Sequence, residues 1–302
     1  MSAIPSSFDS KYRGRLAPSP TGYLHIGHAR TFWTAFERAR AVRGMLAMRM
    51  EDLDAQRSRE IYADAALEDL RWLGVDWQEG PDVGGPFAPY EQSKRHEFYL
   101  DAWRRLYALG AIYPCRCSRK DLEAALSAPH ENANAAEDDE PIYPGTCRPL
   151  KRCDPSLCGH EANAGDGSIQ PDPQGQNWRF AVPSGDEITF EDRNLGPQYF
   201  IAGRDFGDFL VWRRDGAPSY QLACVVDDAA MRITEVVRGA DLLKSTARQI
   251  LLNRALGYAN PAWFHCSLVT DSNGVRLAKR HDALSIRSLR ERGLSPAEVL
   301  SS

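Results

Sequence analysis

The chain has 302 residues, long enough for one large or two ordinary domains around a substantial core. Its apolar fraction of 43% is ordinary for a globular protein, and no run approaches the ~20 apolar residues of a membrane span. The net charge of -4 excludes capture of nucleic acid by the field of the whole molecule, so any RNA contact has to use a local basic patch.

The first eleven residues lack the apolar core of a secretory signal, which makes a cytoplasmic location the expectation. Residues 13–18 then read as a short strand, Pro18 to Gly22 as a tight turn and 27–43 as a helix. A strand, a turn and a helix N-terminus in that order make an anion site, because uncapped backbone N–H groups and the helix dipole both favour phosphate. Gly27 allows close approach to a flat base or ribose, and His25 and His28 can donate to phosphate oxygens. A lone pair of histidines spaced this way would more often be an incidental feature of a surface turn. A strand at 45–50 and helices at 58–73 and 92–109 continue the alternation, which predicts an α/β fold with a doubly wound parallel sheet.

Residues 114–175 break this pattern: they are rich in Cys, Pro, Asn, Asp and Gly, with polar tracts at 131–140 and 163–176 that read as loops. Strand-like stretches follow at 178–191 and 200–212, consistent with a smaller inserted α/β module. The main sheet is expected to resume near Ser219, with its last strand at 233–237 and a helix at 241–256. The strand-like run Phe264 to Val269 then leads to a loop at a sheet edge. The expected organisation is 1–110 as the first half of the sheet domain, 111–212 as the insertion and 213–302 as the second half; no internal repeat is visible.

Seven cysteines without a signal argue against a disulfide framework. Cys224 and Cys266 sit among apolar residues and read as small core side chains. Cys115-Arg116-Cys117 is a short chelating hairpin, and the Pro144-Gly145 turn can bring Tyr143 and Cys147 back to it. Three thiolates and one phenolate satisfy the four tetrahedral positions of a structural zinc. Cys153, Cys158 and His160 are rivals for the fourth position, or a weak site of their own. A metal here would tie down an insertion with little apolar content.

Arg15-Leu16-Ala17-Pro18-Ser19-Pro20-Thr21-Gly22 followed by His25-Ile26-Gly27-His28 resembles the opening of the class I aminoacyl-tRNA synthetases, in their glutamyl branch. The blocks Met48 to Asp54, Tyr220 to Asp228 and Glu235 to Leu242 resemble three further segments of that catalytic domain, in the same order. The resemblance spans roughly residues 13 to 285. It implies a Rossmann-like domain with an inserted zinc module, and ATP-dependent activation of L-glutamate. By position, Arg15, Leu16, Ala17, Pro18, Ser19, Glu51, Tyr220 and Arg238 match the family's glutamate contacts. His25, Gly27, His28 and Lys279 match its ATP contacts, with His25, His28 and Lys279 as the catalytic groups. For Arg15 and Glu51 the plainer alternative is a structural ion pair. Arg276-Leu277-Ala278-Lys279-Arg280 stands where the family has its KMSKS loop, with Ala278 and Arg280 replacing the two serines.

The spacing Cys115-x-Cys117 with Tyr143-x-x-x-Cys147 is similar to the zinc site of the branch that modifies queuosine, and implies one structural Zn²⁺ beside ATP and Mg²⁺. Only 22 residues follow Arg280, so no anticodon-binding domain is expected. The implied partners are L-glutamate, ATP and tRNA(Asp) carrying queuosine, with no membrane and no obligate protein partner. Two other readings stand beside this one: the catalytic core of an ordinary glutamate or glutamine tRNA ligase, and a non-catalytic RNA-binding module.

Overall fold

The computed structural model describes residues 12–118, 121, 142–149, 171–268 and 285–301. Lys279 and the rival ligands Cys153, Cys158 and His160 lie outside the described residues. The chain opens with β1 (Arg13–Leu16), α1 (Ile26–Ala41) and β2 (Met45–Met48), a parallel pair joined by a crossover helix. The helices α2 (Glu60–Trp72) and α3 (His96–Ala108) follow. The helix expected over 92–109 starts late, after a 3-10 turn at Gln92–Lys94. Here Gln92 and Arg95 turn inward to Asp227, at 2.8 and 2.6 Å, and these buried bonds take precedence over helical propensity.

Two β systems come next. The strands β3 (Ile112–Cys115), β4 (Asn177–Phe180) and β7 (Phe209–Trp212) form a three-stranded antiparallel sheet. The hairpin β5 (Glu187–Asp192) and β6 (Gly196–Ile201) instead joins the main sheet, β5 reaching β9 (Ala262–Cys266) in parallel at Asp192 and Trp263. Next to β9 runs β8 (Glu235–Gly239), also parallel. On its far side β8 lies along β1, where the Arg13 carbonyl accepts from Thr234 N–H at 2.8 Å and Arg15 reaches the Val237 carbonyl. The spatial order is therefore β2, β1, β8, β9, β5, β6.

Alternate residues of these strands enter different cores. Val236 and Trp263 join the cluster under α3, α4 (Tyr220–Ala230) and α5 (Leu243–Leu256). Val237 and Phe264 join the cluster under α1, α2, α6 (Ile286–Glu291) and α7 (Pro296–Ser301). A sheet buried on both faces is the doubly wound arrangement.

Three expectations are corrected. The sheet is mixed rather than wholly parallel, because β6 is an antiparallel edge. The strand expected near Ser219 is the helix α4, capped by the Ser219 hydroxyl, which accepts from Leu222 N–H. Leu222 to Asp228 are all buried, and a run buried throughout, apolar as far as Val226, cannot be told from a core strand by its period. The strand at the start of the 264–269 run is not at a sheet edge either: β9 lies between β8 and β5. Among the described residues no helix is long and apolar enough to cross a membrane.

Candidate active site

The carboxyl ends of β1 and β8 and the N-terminus of α1 open into one cleft of about 420 Å³, within the range of small-molecule sites. Arg15, Ala17, Pro18, Ser19, His25, Gly27, His28, Glu51, Tyr220 and Arg238 all line it. Leu16 does not: its side chain is fully buried in the core beneath the strand, and its carbonyl accepts from Arg49 N–H at 2.8 Å. Strand alternation requires this, since Arg15 and Leu16 must face opposite ways. Glu51 N–H donates to the Pro18 carbonyl at 2.9 Å, which holds the end of β2 against the turn and brings Glu51 beside Arg15.

At the start of α1 the two histidines cap the helix reciprocally. His25 Nδ1 accepts from Gly27 N–H at 3.1 Å, and His28 Nδ1 accepts from His25 N–H at 3.4 Å. Their rings stack with centroids 3.8 Å apart. With both Nδ1 atoms acting as acceptors, neutral rings carry their protons on Nε2. The helix end thus presents imidazole donors in addition to its dipole.

In place of the alternative of an Arg15–Glu51 ion pair stands a longer chain of charges. Arg49, fully buried, donates to Asp228 at 2.6 Å and to Glu51 at 3.0 Å. Arg15 donates to the Val237 carbonyl at 2.8 Å and leaves its buried Nε 3.7 Å from Asp228, beyond hydrogen-bond reach. Burial works against the Arg49 charge, but Asp228, Glu51 and Asp227 outweigh it and raise its pKa further. The Cys224 thiol lies 3.6 Å from Glu51; burial and then that carboxylate push its pKa well up, so it stays a thiol. Sequence reading missed Arg49 as the partner, although an arginine between Met48 and Met50 in a strand needs a buried acid, and Asp227-Asp228 offers two.

Arg238 is held from behind. Its Nη2 donates to Thr246 Oγ1 at 2.7 Å and its Nε faces His265 Nε2 at 3.3 Å, while Nη1 stands 3.5 Å from the Tyr220 hydroxyl. His265 Nδ1 lies 2.6 Å from Asp192. Burial and then the Arg238 charge lower the His265 pKa to about 4, against the opposing bond to Asp192. Burial alone would raise Asp192, but bonds from the His265 ring and three backbone N–H groups hold its carboxyl below the usual range. Gly239 also lines the cleft, and a Cβ there would meet the Asp241 carboxylate at 2.4 Å, so a larger residue requires that side chain to turn away.

Apart from the cleft, Cys115, Cys117 and Cys147 bring their sulfurs within 4.8 Å of one another. The Tyr143 hydroxyl lies 3.5 Å from Cys115 and 3.5 Å from Cys117, and Cys117 is 3.6 Å from Cys147. Tetrahedral zinc with sulfurs at ~2.3 Å needs edges of about 3.7 Å, and these three separations lie close to that value. Arg179 donates to Cys115 at 3.3 Å and lies over the Tyr143 ring at 3.9 Å, which offsets negative charge on the ligands. Arg148 fastens the loop to the sheet through Asp208 at 2.9 Å and the Val182 carbonyl at 2.8 Å.

The chain matches the family of tRNA synthetases class I (E and Q), catalytic domain, over residues 11–302. It is 50% identical over 287 residues to the glutamyl-Q tRNA(Asp) synthetase of Symbiobacterium thermophilum, covering 95% of this chain and 84% of that one. It is 43% identical over 282 residues to glutamate–tRNA ligase 2 of Nitrosococcus oceani, covering 93% of this chain and 56% of that one. Among solved structures, the glutamate-tRNA synthetase of Elizabethkingia anophelis superposes with a TM-score of 0.74 at 30% identity, over 94% of this chain. This chain spans 54% of that synthetase, about half its length.

Proposed function

The chain belongs to the class I tRNA synthetases of the glutamate and glutamine type, and we propose that it activates L-glutamate with ATP and passes the glutamyl group to the queuosine base of tRNA(Asp). The observation that carries the choice of acceptor is 50% identity, across 95% of the chain, to a protein named glutamyl-Q tRNA(Asp) synthetase. The convergence of ten motif residues on one cleft supports the activation step.

In this reading Arg15 and Arg238 meet the carboxylates of glutamate, Glu51 accepts from its ammonium group, and Ser19 and Tyr220 add hydroxyls. Ala17 and Pro18 supply backbone to the same wall. The α-carboxylate attacks the α-phosphorus of ATP and pyrophosphate leaves, so no protein nucleophile is required. The Nε2 donors of His25 and His28 and the α1 dipole stabilise charge on the phosphates, with Mg²⁺ carried in on the nucleotide. Gly27 lets the nucleotide approach the backbone, and Lys279 is proposed as a further phosphate cation. The acceptor then displaces AMP from the adenylate. Cys115, Cys117, Tyr143 and Cys147 would hold one Zn²⁺, whose contribution is structural: it cross-links a segment whose described residues have only a small apolar cluster.

The second reading, esterification of a tRNA 3′ end, is favoured by the 43% identity to a glutamate–tRNA ligase. Labelled glutamate and ATP, incubated with tRNA(Asp) that carries or lacks queuosine, separate the two. Labelling only of the queuosine-bearing RNA is expected. Equal labelling of both would overturn the proposed acceptor.

A further inference from the structure

We infer that His265, backed by Asp192, is a positioning residue that aims Arg238 at a carboxylate of glutamate without neutralising it. The inference rests on the reading that Arg238 meets the substrate. The geometry is a buried chain of three side chains leading from the far side of the sheet to the cleft. Asp192 and His265 are 1% and 0% exposed, and Arg238 is 5% exposed. Asp192, at the end of β5, accepts from the backbone N–H groups of Asn194, Leu195 and His265 and from His265 Nδ1. It is thereby fixed in place before it meets the ring.

The direction of each bond follows from chemistry. Arginine can only donate, so His265 Nε2 must offer its lone pair to Arg238 Nε, and the ring proton must sit on Nδ1, facing Asp192. That tautomer is also the neutral one. A protonated ring would set a hydrogen against a guanidinium in a dry site. Thr246 Oγ1 occupies Nη2 and lies 3.1 Å from the same His265 nitrogen, so two of the three arginine nitrogens are engaged from behind. The third, Nη1, points toward Tyr220 and the cleft.

The choice of histidine has a physical consequence. A carboxylate directly behind Arg238 would pair with it bidentately and compete with a substrate carboxylate for the same fork. A neutral imidazole holds the guanidinium by one acceptor atom and keeps Asp192 one ring further away. The arginine is oriented, yet most of its charge remains available to the ligand. The parallel β5–β9 pairing acquires a role here, since it brings Asp192 beside His265.

The test uses pyrophosphate exchange with glutamate and ATP. His265→Asn keeps an amide at the Nδ1 position but removes the acceptor facing Arg238. His265→Gln places an amide oxygen near the Nε2 position. We expect His265→Asn to raise the KM for glutamate about tenfold or more, with the KM for ATP and kcat within about twofold. His265→Gln should recover most of the loss, and His265→Asn should add little in an Arg238→Lys background, because both act through one contact. Equal loss in the two histidine variants, or a fall in kcat without a change in glutamate KM, overturns the positioning role. If Arg238→Lys itself leaves the glutamate KM unchanged, the underlying reading of Arg238 fails instead. Nitrogen NMR of the unaltered protein needs no variant to fold: the expected signal is a His265 ring protonated on Nδ1 alone, without titration between pH 5 and 8. An Nε2–H tautomer or an imidazolium at pH 7 overturns the inference.

Discussion

Replacing Arg49 by Met tests whether the charge network beneath the cleft is as costly to break as its burial implies. The guanidinium is fully buried and holds Asp228 at 2.6 Å and Glu51 at 3.0 Å. Asp227 is 3.9 Å away but keeps Arg95, Tyr99 and Gln92, so its loss is small. Among the described residues Asp228 keeps only the Arg15 contact at 3.7 Å, and Glu51 keeps the weak Cys224 donor at 3.6 Å. Removing one partner of a buried ion pair costs about 3–5 kcal/mol, because the other charge stays in the low dielectric. Unfolding entropy is about 0.6 kcal/mol/K for a chain of this length, so the melting temperature should fall by roughly 5–8 °C. Calorimetry of Arg49→Met against the unaltered protein measures this. Arg57→Ala, which breaks the exposed pair with Asp54, is the control and should leave the melting temperature where it was. Asp228→Asn added to Arg49→Met should recover part of the loss, since it removes one stranded charge. A fall under about 1 °C for Arg49→Met would refute the reasoning, because it would mean that water or another cation compensates these acids.

Three other outcomes are expected. Cys117→Ser should lose most of about one zinc per chain by metal analysis, and full retention would move the site to Cys153, Cys158 and His160. The same variant should melt lower, because the loop carrying Tyr143 and Cys147 would lose its metal cross-link and rest on contacts such as those of Arg148 with Asp208 and of Arg179 with the Tyr143 ring. Glutamine should support pyrophosphate exchange roughly 10²-fold less well than glutamate, since its amide leaves a buried guanidinium unpaired; equal exchange would remove Arg15 and Arg238 as a carboxylate clamp. The pH dependence of stability has a defined sign. The His265 pKa is about 4 in the fold against ~6.5 unfolded, so its contribution is complete above pH ~6.5 and is lost as pH falls toward 4. Asp192, also held low, loses its contribution in the acid range below that. Urea unfolding should therefore show the gap between the unaltered protein and His265→Asn narrowing from pH 6.5 to 4, by up to about 3 kcal/mol. A gap that widens would mean that His265 is charged in the fold.

The sequence was most readable where one local rule decides the structure. The Pro18–Gly22 turn between an apolar strand and a histidine-capped helix leaves the chain one way to run, and β1, α1 and β2 lie within about two residues of their expected bounds. Reading failed where local rules tie. Leu222 to Asp228 is buried throughout, so neither a period of 2 nor one of 3.6 is visible there, and the Ser219 cap is the local signal that separates helix from strand. It failed again where the deciding partner is distant. Strands at 187–201 could be expected from alternation, but their attachment depends on Asp192 meeting Trp263, which no local signal announces.

The same division runs through the site. Residues that line the cleft sit in motif blocks, so Arg15, Glu51, Tyr220 and Arg238 could be named from their order along the chain. The residues that orient them do not. Arg49 reaches Asp228 across 179 positions, and Asp192 reaches His265 across 73. A buried charge must find its counterpart somewhere in the fold, and packing decides where. Met48-Arg49-Met50 announces such a need without naming the partner, and Asp227-Asp228 announces the complementary one. Pairing unmatched buried acids with unmatched buried bases is therefore the step by which more of this site could have been read before the structure. It would have replaced the alternative of an Arg15–Glu51 pair with the Arg15–Asp228–Arg49–Glu51 chain that runs beneath the cleft.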